Sequence, residues 1–72
     1  MTKEAINEAV KATPFRPFTV KMADGSSYPV LSSDHASLSP SGRTLIIYYD
    51  DDRMKILDVM MITEIETTEA AA

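Results

Sequence analysis

The sequence predicts an α+β fold in which an N-terminal helix precedes a five-stranded, strongly bent antiparallel sheet or small barrel. Three observations carry that expectation. Apolar residues recur at spacings of three and four in residues 2–12 and at a spacing of two from Phe18 onward. Asp24-Gly25, Ser39-Pro40-Ser41-Gly42 and Asp50-Asp51-Asp52 punctuate the extended part as turns. Finally, a chain of 72 residues without cysteine must stabilise itself by packing or association, at a size that buries only roughly 60% of the unfolded surface. Short strands in such a chain leave edges that closure or strong bending removes. Residues 1–66 read as one domain and residues 67–72 as a frayed tail.

The helix begins at Thr2, which can cap it, and Glu4 suits its first turn. Ile6, Ala9 and Val10, with Ala5, line one side as far as Ala12. About three turns are too few for stability in isolation, so this face must dock on something apolar. Pro14 stops the helix and pushes Thr13 out of the helical region. Pro14-x-x-Pro17 has the spacing of a polyproline ligand. Phe15 and Phe18 flank it, however, and a chain with two phenylalanines is expected to bury both, which makes the segment a joint between helix and sheet. Arg16 then points to solvent or to a carboxylate.

In the extended part, Phe18, Val20 and Met22 alternate with polar or small residues, Asp24-Gly25 turns the chain, and Tyr28 and Val30 continue the pattern, which reads as a hairpin. Pro29 confines its strand to an edge or a bulge. Residues 32–42 read as a loop with at most a short strand at 36–39. Residues 44–49 are apolar on both faces, as expected of a central strand. Beyond the acidic turn, Met54, Ile56 and Asp58 alternate in a fourth strand. A turn at 58–61 leads to the last strand at 62–66.

Two resemblances rest on these residues. Phe15-Arg16-Pro17-Phe18, Ala23-Asp24-Gly25, Leu38-Ser39-Pro40-Ser41-Gly42-Arg43 and Ile62-Thr63-Glu64-Ile65-Glu66 together resemble a family of small bacterial proteins with the pattern PFRPF…DG…LSPSGR…ITxIE, which implies no particular activity. The layout of an N-terminal helix, a strand ending in Val20-Lys21-Met22-Ala23-Asp24-Gly25 and a closing strand after a short turn is similar to Sm-like RNA-binding barrels. That likeness implies an SH3/Sm-like barrel assembled into a ring, with RNA met through Lys21, Arg43, Arg53 and Lys55.

Charge and motif content narrow the function classes. The net charge of −4 repels phosphate backbones at long range, so nucleic acid is the disfavoured partner. No apolar run approaches a membrane span or a signal peptide, and the expectation is a soluble cytoplasmic protein that does not engage membranes. Asp34-His35 among Ser32, Ser33 and Ser37 has the residue types of a hydrolase triad, but adjacent positions do not build one. Asp50-Asp51-Asp52 lacks the alternating ligands, glycine and distal glutamate of a calcium loop. Neither of the two glycines lies in a phosphate-binding loop. No enzyme activity, cofactor or metal is therefore expected. The apolar surplus in residues 44–49 and 59–62 points to a protein-interaction module that forms a homo-oligomer or takes an unknown protein partner. Its expected contact surface is Tyr48, Tyr49, Val59, Met60, Met61 and Ile62.

Overall fold

A computed structural model of the chain, describing residues 1–67, shows where these elements settle. Thr2 caps α1 (Lys3–Lys11), its hydroxyl oxygen accepting the Ala5 amide at 3.2 Å. Glu4 in the first turn and Lys11 in the last place each charge at the helix end whose dipole favours it. Ile6 and Val10, one turn apart, are buried with Ala9 packed beside them, so the core holds a helix too short to persist alone.

The segment after α1 behaves as the joint that its phenylalanines suggest. The rings of Phe15 and Phe18 lie 5.8 Å apart at a tilt of 51°, Phe18 fully inside and Phe15 half-buried against the core, while Arg16 is exposed. From Phe18 the chain runs as β1 (Phe18–Met22), turns at Asp24-Gly25 and returns as β2 (Ser27–Val30). Gly25 takes φ +93°, and the Asp24 carboxylate accepts both the amide and the hydroxyl of Ser26, at 2.9 and 2.6 Å. Pro29 sits on β2, an edge strand, where its missing amide costs no ladder bond to a further strand.

Instead of one five-stranded bent sheet or a closed barrel, the chain forms two three-stranded antiparallel sheets, ordered β2-β1-β6 and β3-β4-β5. Residues 31–35, with a 3₁₀ turn at Ser33–His35, separate β2 from β3 (Ala36–Leu38), so no ladder passes from one sheet to the other among the described residues. The short strand expected near 36–39 is thus a full member of the second sheet. Its three residues are too few for a period to show, and only Ala36 is fully buried. β4 (Thr44–Tyr48) is central, as its apolar density suggests, and β5 (Met54–Asp58) pairs with it through Leu45–Leu57 and Ile47–Lys55.

A second 3₁₀ turn, Val59–Met61, carries the chain from β5 into β6 (Ile62–Thr67), with the Asp58 carboxylate accepting the Met60 amide at 3.0 Å. β6 pairs with β1 along Phe18–Thr67 to Met22–Ile62. Thr67 therefore belongs to a strand, and the remainder of the expected tail lies outside the described residues. Between the sheets sit Phe18, Val20, Val30, Leu45, Ile47, Leu57, Val59 and Ile62, closed by Ile6 and Val10 from α1.

Two substitutions measure how tightly this arrangement is held. Phe18→Ala is expected to lower unfolding free energy by about 3–5 kcal/mol, and Phe15→Ala by less, as read from urea denaturation. Gly42 is buried at φ +78°, and a methyl group there would overlap the Cβ and Cγ of Lys3 at the start of α1. Gly42→Ala is accordingly expected to cost roughly 1–3 kcal/mol in the same assay.

Candidate functional site

Because side chains alternate along a strand, a sheet with a single core turns one parity of each strand inward and the other outward. The pairs Leu45–Leu57 and Ile47–Lys55 set the inward parity of β4 and β5, which leaves Ile46–Ile56 and Tyr48–Met54 facing out. Ile56 is 65% exposed, Met54 53% and Tyr48 39%, with Ile46 half-buried among them. Directly opposed residues in an antiparallel pair lie about 5 Å apart, so the four side chains form one contiguous apolar patch.

Charged groups bound this patch at both ends. At the hairpin end, Asp51 accepts the Arg53 Nε at 2.7 Å and its amide at 3.2 Å, and these hydrogen bonds hold the Asp51 carboxyl below its ordinary value. The Arg53 guanidinium stands over the Tyr49 ring at 5.3 Å, and Asp50 meets His35 Nε2 at 3.2 Å. Asp52 occupies the left-handed region at φ +71° and is exposed. At the opposite end Thr44 pairs with Asp58, and Arg43, Ile56 and Asp58 border a shallow depression of about 480 Å³.

The residues expected to form the contact surface divide between outside and inside. Tyr48 lies on the patch, and Met60 and Met61 are exposed at 68% and 48%. Met61 shares with Ile56 a depression of about 230 Å³ between the sheets, which extends the apolar surface past β5. Val59 and Ile62, at 3% and 2% exposure, are instead core residues, because the 3₁₀ turn directs them inward. Tyr49 is half-buried and donates its hydroxyl to the Pro29 carbonyl at 3.4 Å. Burial pushes that hydroxyl above its ordinary 10.0, against the opposing effect of Arg53. Ile46 and Ile56 are surface residues that sequence reasoning missed, whereas Met54 is legible with Val59, Met60 and Met61 as a soft apolar stretch; the available signal was apolarity on both parities, without a register to say which parity was outside.

The four cations considered for nucleic acid do not share a face. Lys21 lies on the outer side of β1, bound to Glu66 at 3.0 Å and opposite Glu64, and Glu66 raises its pKa through a hydrogen bond and its charge. Arg43 and Arg53 stand at opposite ends of the second sheet, and the Lys55 ammonium lies 5.8 Å from the Tyr28 ring centroid in the gap between sheets. His35 is engaged with Asp50, and among the described residues no group of three or more His, Asp or Glu side chains could hold a metal. The groove of about 420 Å³ between α1 and β3 is bordered by Asn7, Lys11, Ala36, Ser37 and Ser39, and His35, next to Ala36, does not line it. No helix among the described residues is long and apolar enough to cross a membrane.

These electrostatics set pH dependences of opposite sign. Asp24, held down by the Ser26 hydroxyl and amide, and Asp51, held down by Arg53, contribute stability that is full above their unfolded value of 3.8 and is lost as pH falls below it. Asp24→Asn and Asp51→Asn are expected to flatten the acid limb of stability against pH. Tyr49 contributes stability that is present below 10.0 and is lost as pH rises beyond it. An absorbance titration is expected to show a tyrosine ionising above 10.0 that disappears in Tyr49→Phe. No protein-family model, curated protein or solved structure matches the chain.

Proposed function

We propose that this chain is a cytoplasmic, non-catalytic protein-interaction module that associates with itself through the outward face of β4 and β5. The observation that carries this reading is the contiguous outward quartet of exposed Tyr48, Met54 and Ile56 with half-buried Ile46, on a chain of net charge −4 and with no carboxylate among its four members. Full burial of an isoleucine or methionine side chain is worth about 1.5–3 kcal/mol relative to exposure, and only the still exposed fraction can be gained by a partner. Set against the loss of translational and rotational freedom, a patch of this size supports weak association that depends on concentration.

The His35–Asp50 contact lies at the surface with Asp50 exposed, and neither residue lines the α1–β3 groove, which supports a non-catalytic reading. The nucleic-acid alternative is supported only by the order of helix and strands, since Lys21 and Arg53 are each paired with a carboxylate. Sedimentation velocity across a concentration series tests the proposal. The wild type is expected to show a reversible rise in mass, and Ile56→Asp to remain monomeric with unchanged thermal stability, because the side chain contributes little to the core. A wild type that is monomeric throughout, or an Ile56→Asp protein that still associates, would overturn it.

A further inference from the structure

We propose that the groove between α1 and β3 takes an extended peptide of a partner, which adds to β3 as a fourth strand of the second sheet and sets two carboxylate side chains, four residues apart, against Lys3 and Lys11. The site is separate from the outward face of β4 and β5 and does not rest on the self-association proposed above. β3 is an edge strand, so one side of it carries no ladder. On its other side the Ser39 amide donates to the Thr44 carbonyl at 2.9 Å, and the same register pairs Ser37 with Ile46. Antiparallel pairing alternates bonded and non-bonded residues, which turns the amides and carbonyls of Ala36 and Leu38 away from β4. Both residues line the groove of about 420 Å³. α1 packs along that side, but a helix uses its interior amides and carbonyls within itself and so cannot complete the edge. An extended backbone can, because it presents donors and acceptors at the strand repeat.

The charges on the helix wall select what that peptide carries. Lys3, Asn7 and Lys11 recur every four residues and border the groove as one exposed row. Among the described residues the ion pairs are Lys21–Glu66, His35–Asp50 and Arg53–Asp51, so neither Lys3 nor Lys11 has a carboxylate partner. Glu4 is the one carboxylate that lines the groove, and two lysines against it leave a surplus of one positive charge on a chain of net charge −4. Eight residues of helix place the two lysines about 12 Å apart along the axis. In a strand at about 3.4 Å per residue, side chains four apart lie about 14 Å apart on one face, whereas those two or six apart are about 7 and 20 Å apart. The opposite parity of the peptide then faces Val10 and Leu38, the larger apolar residues of the lining, and suits small apolar side chains.

An acetylated, amidated peptide, Ser-Thr-Glu-Val-Ser-Val-Glu-Thr-Ser, titrated into isotope-labelled protein at low salt and followed by amide NMR, tests the proposal. Amide shifts are expected to concentrate at residues 36–39 and 3–11. Lys3→Gln and Lys11→Gln, both at exposed positions, are each expected to weaken binding by roughly 2- to 5-fold. Against the peptide with glutamine at both glutamates, the same variants are expected to differ from wild type by less than about 1.5-fold, because the pair they would break is gone. N-methylation tests the strand itself. On one alternating set of peptide residues, the valines or the glutamates, it is expected to weaken binding by at least about 10-fold, and on the other set by about 2-fold or less. Absence of binding, shifts confined to another surface, equal effects of the two methylated sets, lysine variants that act alike on both peptides, or equal affinity for a peptide with lysine at both glutamates would each overturn the proposal. So would a peptide affinity that falls as protein concentration rises, which would place a second copy in the groove. Ile56→Asp is expected to bind the peptide as the wild type does, so loss of self-association and loss of the groove are read separately.

Discussion

The parity of β4 and β5 is the constraint on which the rest of the molecule depends. Once Leu45, Ile47 and Leu57 point inward, the two-residue repeat obliges Ile46, Tyr48, Met54 and Ile56 to point outward, however apolar they are. A slip of one residue would put Lys55 and Leu57 outside and Ile56 inside, but it would also remove Leu57 from its place beside Leu45. The core between the sheets, with Phe18, Val20, Val30 and Ile62 on the facing side, is already filled by one parity of each strand. Apolarity on the second parity thus adds nothing to that core and remains available to a partner.

Much of the fold was legible because each element carries its own local chemistry. Thr2 and Glu4 announce the start of a helix, and Pro14 announces its end. Asp24-Gly25 marks a hairpin because glycine takes φ +93° without strain and the preceding carboxylate closes the turn on Ser26. The joint at residues 13–18 was legible because a chain this small has little reason to leave Phe15 and Phe18 in water. What could not be read is non-local. β3 is defined by its partner β4 rather than by any period of its own, and the division into two sheets depends on where Val30 and Ala36 lie in space.

The candidate surface was half legible for the same reason. A run such as Leu45-Ile46-Ile47-Tyr48 declares surplus apolarity, and Met60-Met61 does the same, but surplus has no direction until a register is set. Val59 and Ile62 share the composition of their exposed neighbours Met60 and Met61, and only the geometry of a 3₁₀ turn, capped by Asp58, separates them. The acidic turn shows the complementary effect. Read as composition it suggests a cation site, whereas its members are drawn apart, Asp50 toward His35 and Asp51 toward Arg53.

The gap between β2 and β5 gives the molecule a preferred line of weakness. The Tyr49 hydroxyl on the Pro29 carbonyl and the Lys55 ammonium over Tyr28 cross it, and among the described residues no backbone ladder joins the two sheets. Parting the sheets there removes a long hydrogen bond and a half-buried cation–π contact and opens the core between the sheets before any ladder need break. Under mechanical load or partial unfolding the chain would therefore open like a book, hinged on the 3₁₀ turn between β5 and β6. Its two sheets would keep their internal pairing while the amides inside each ladder remained slow to exchange with solvent.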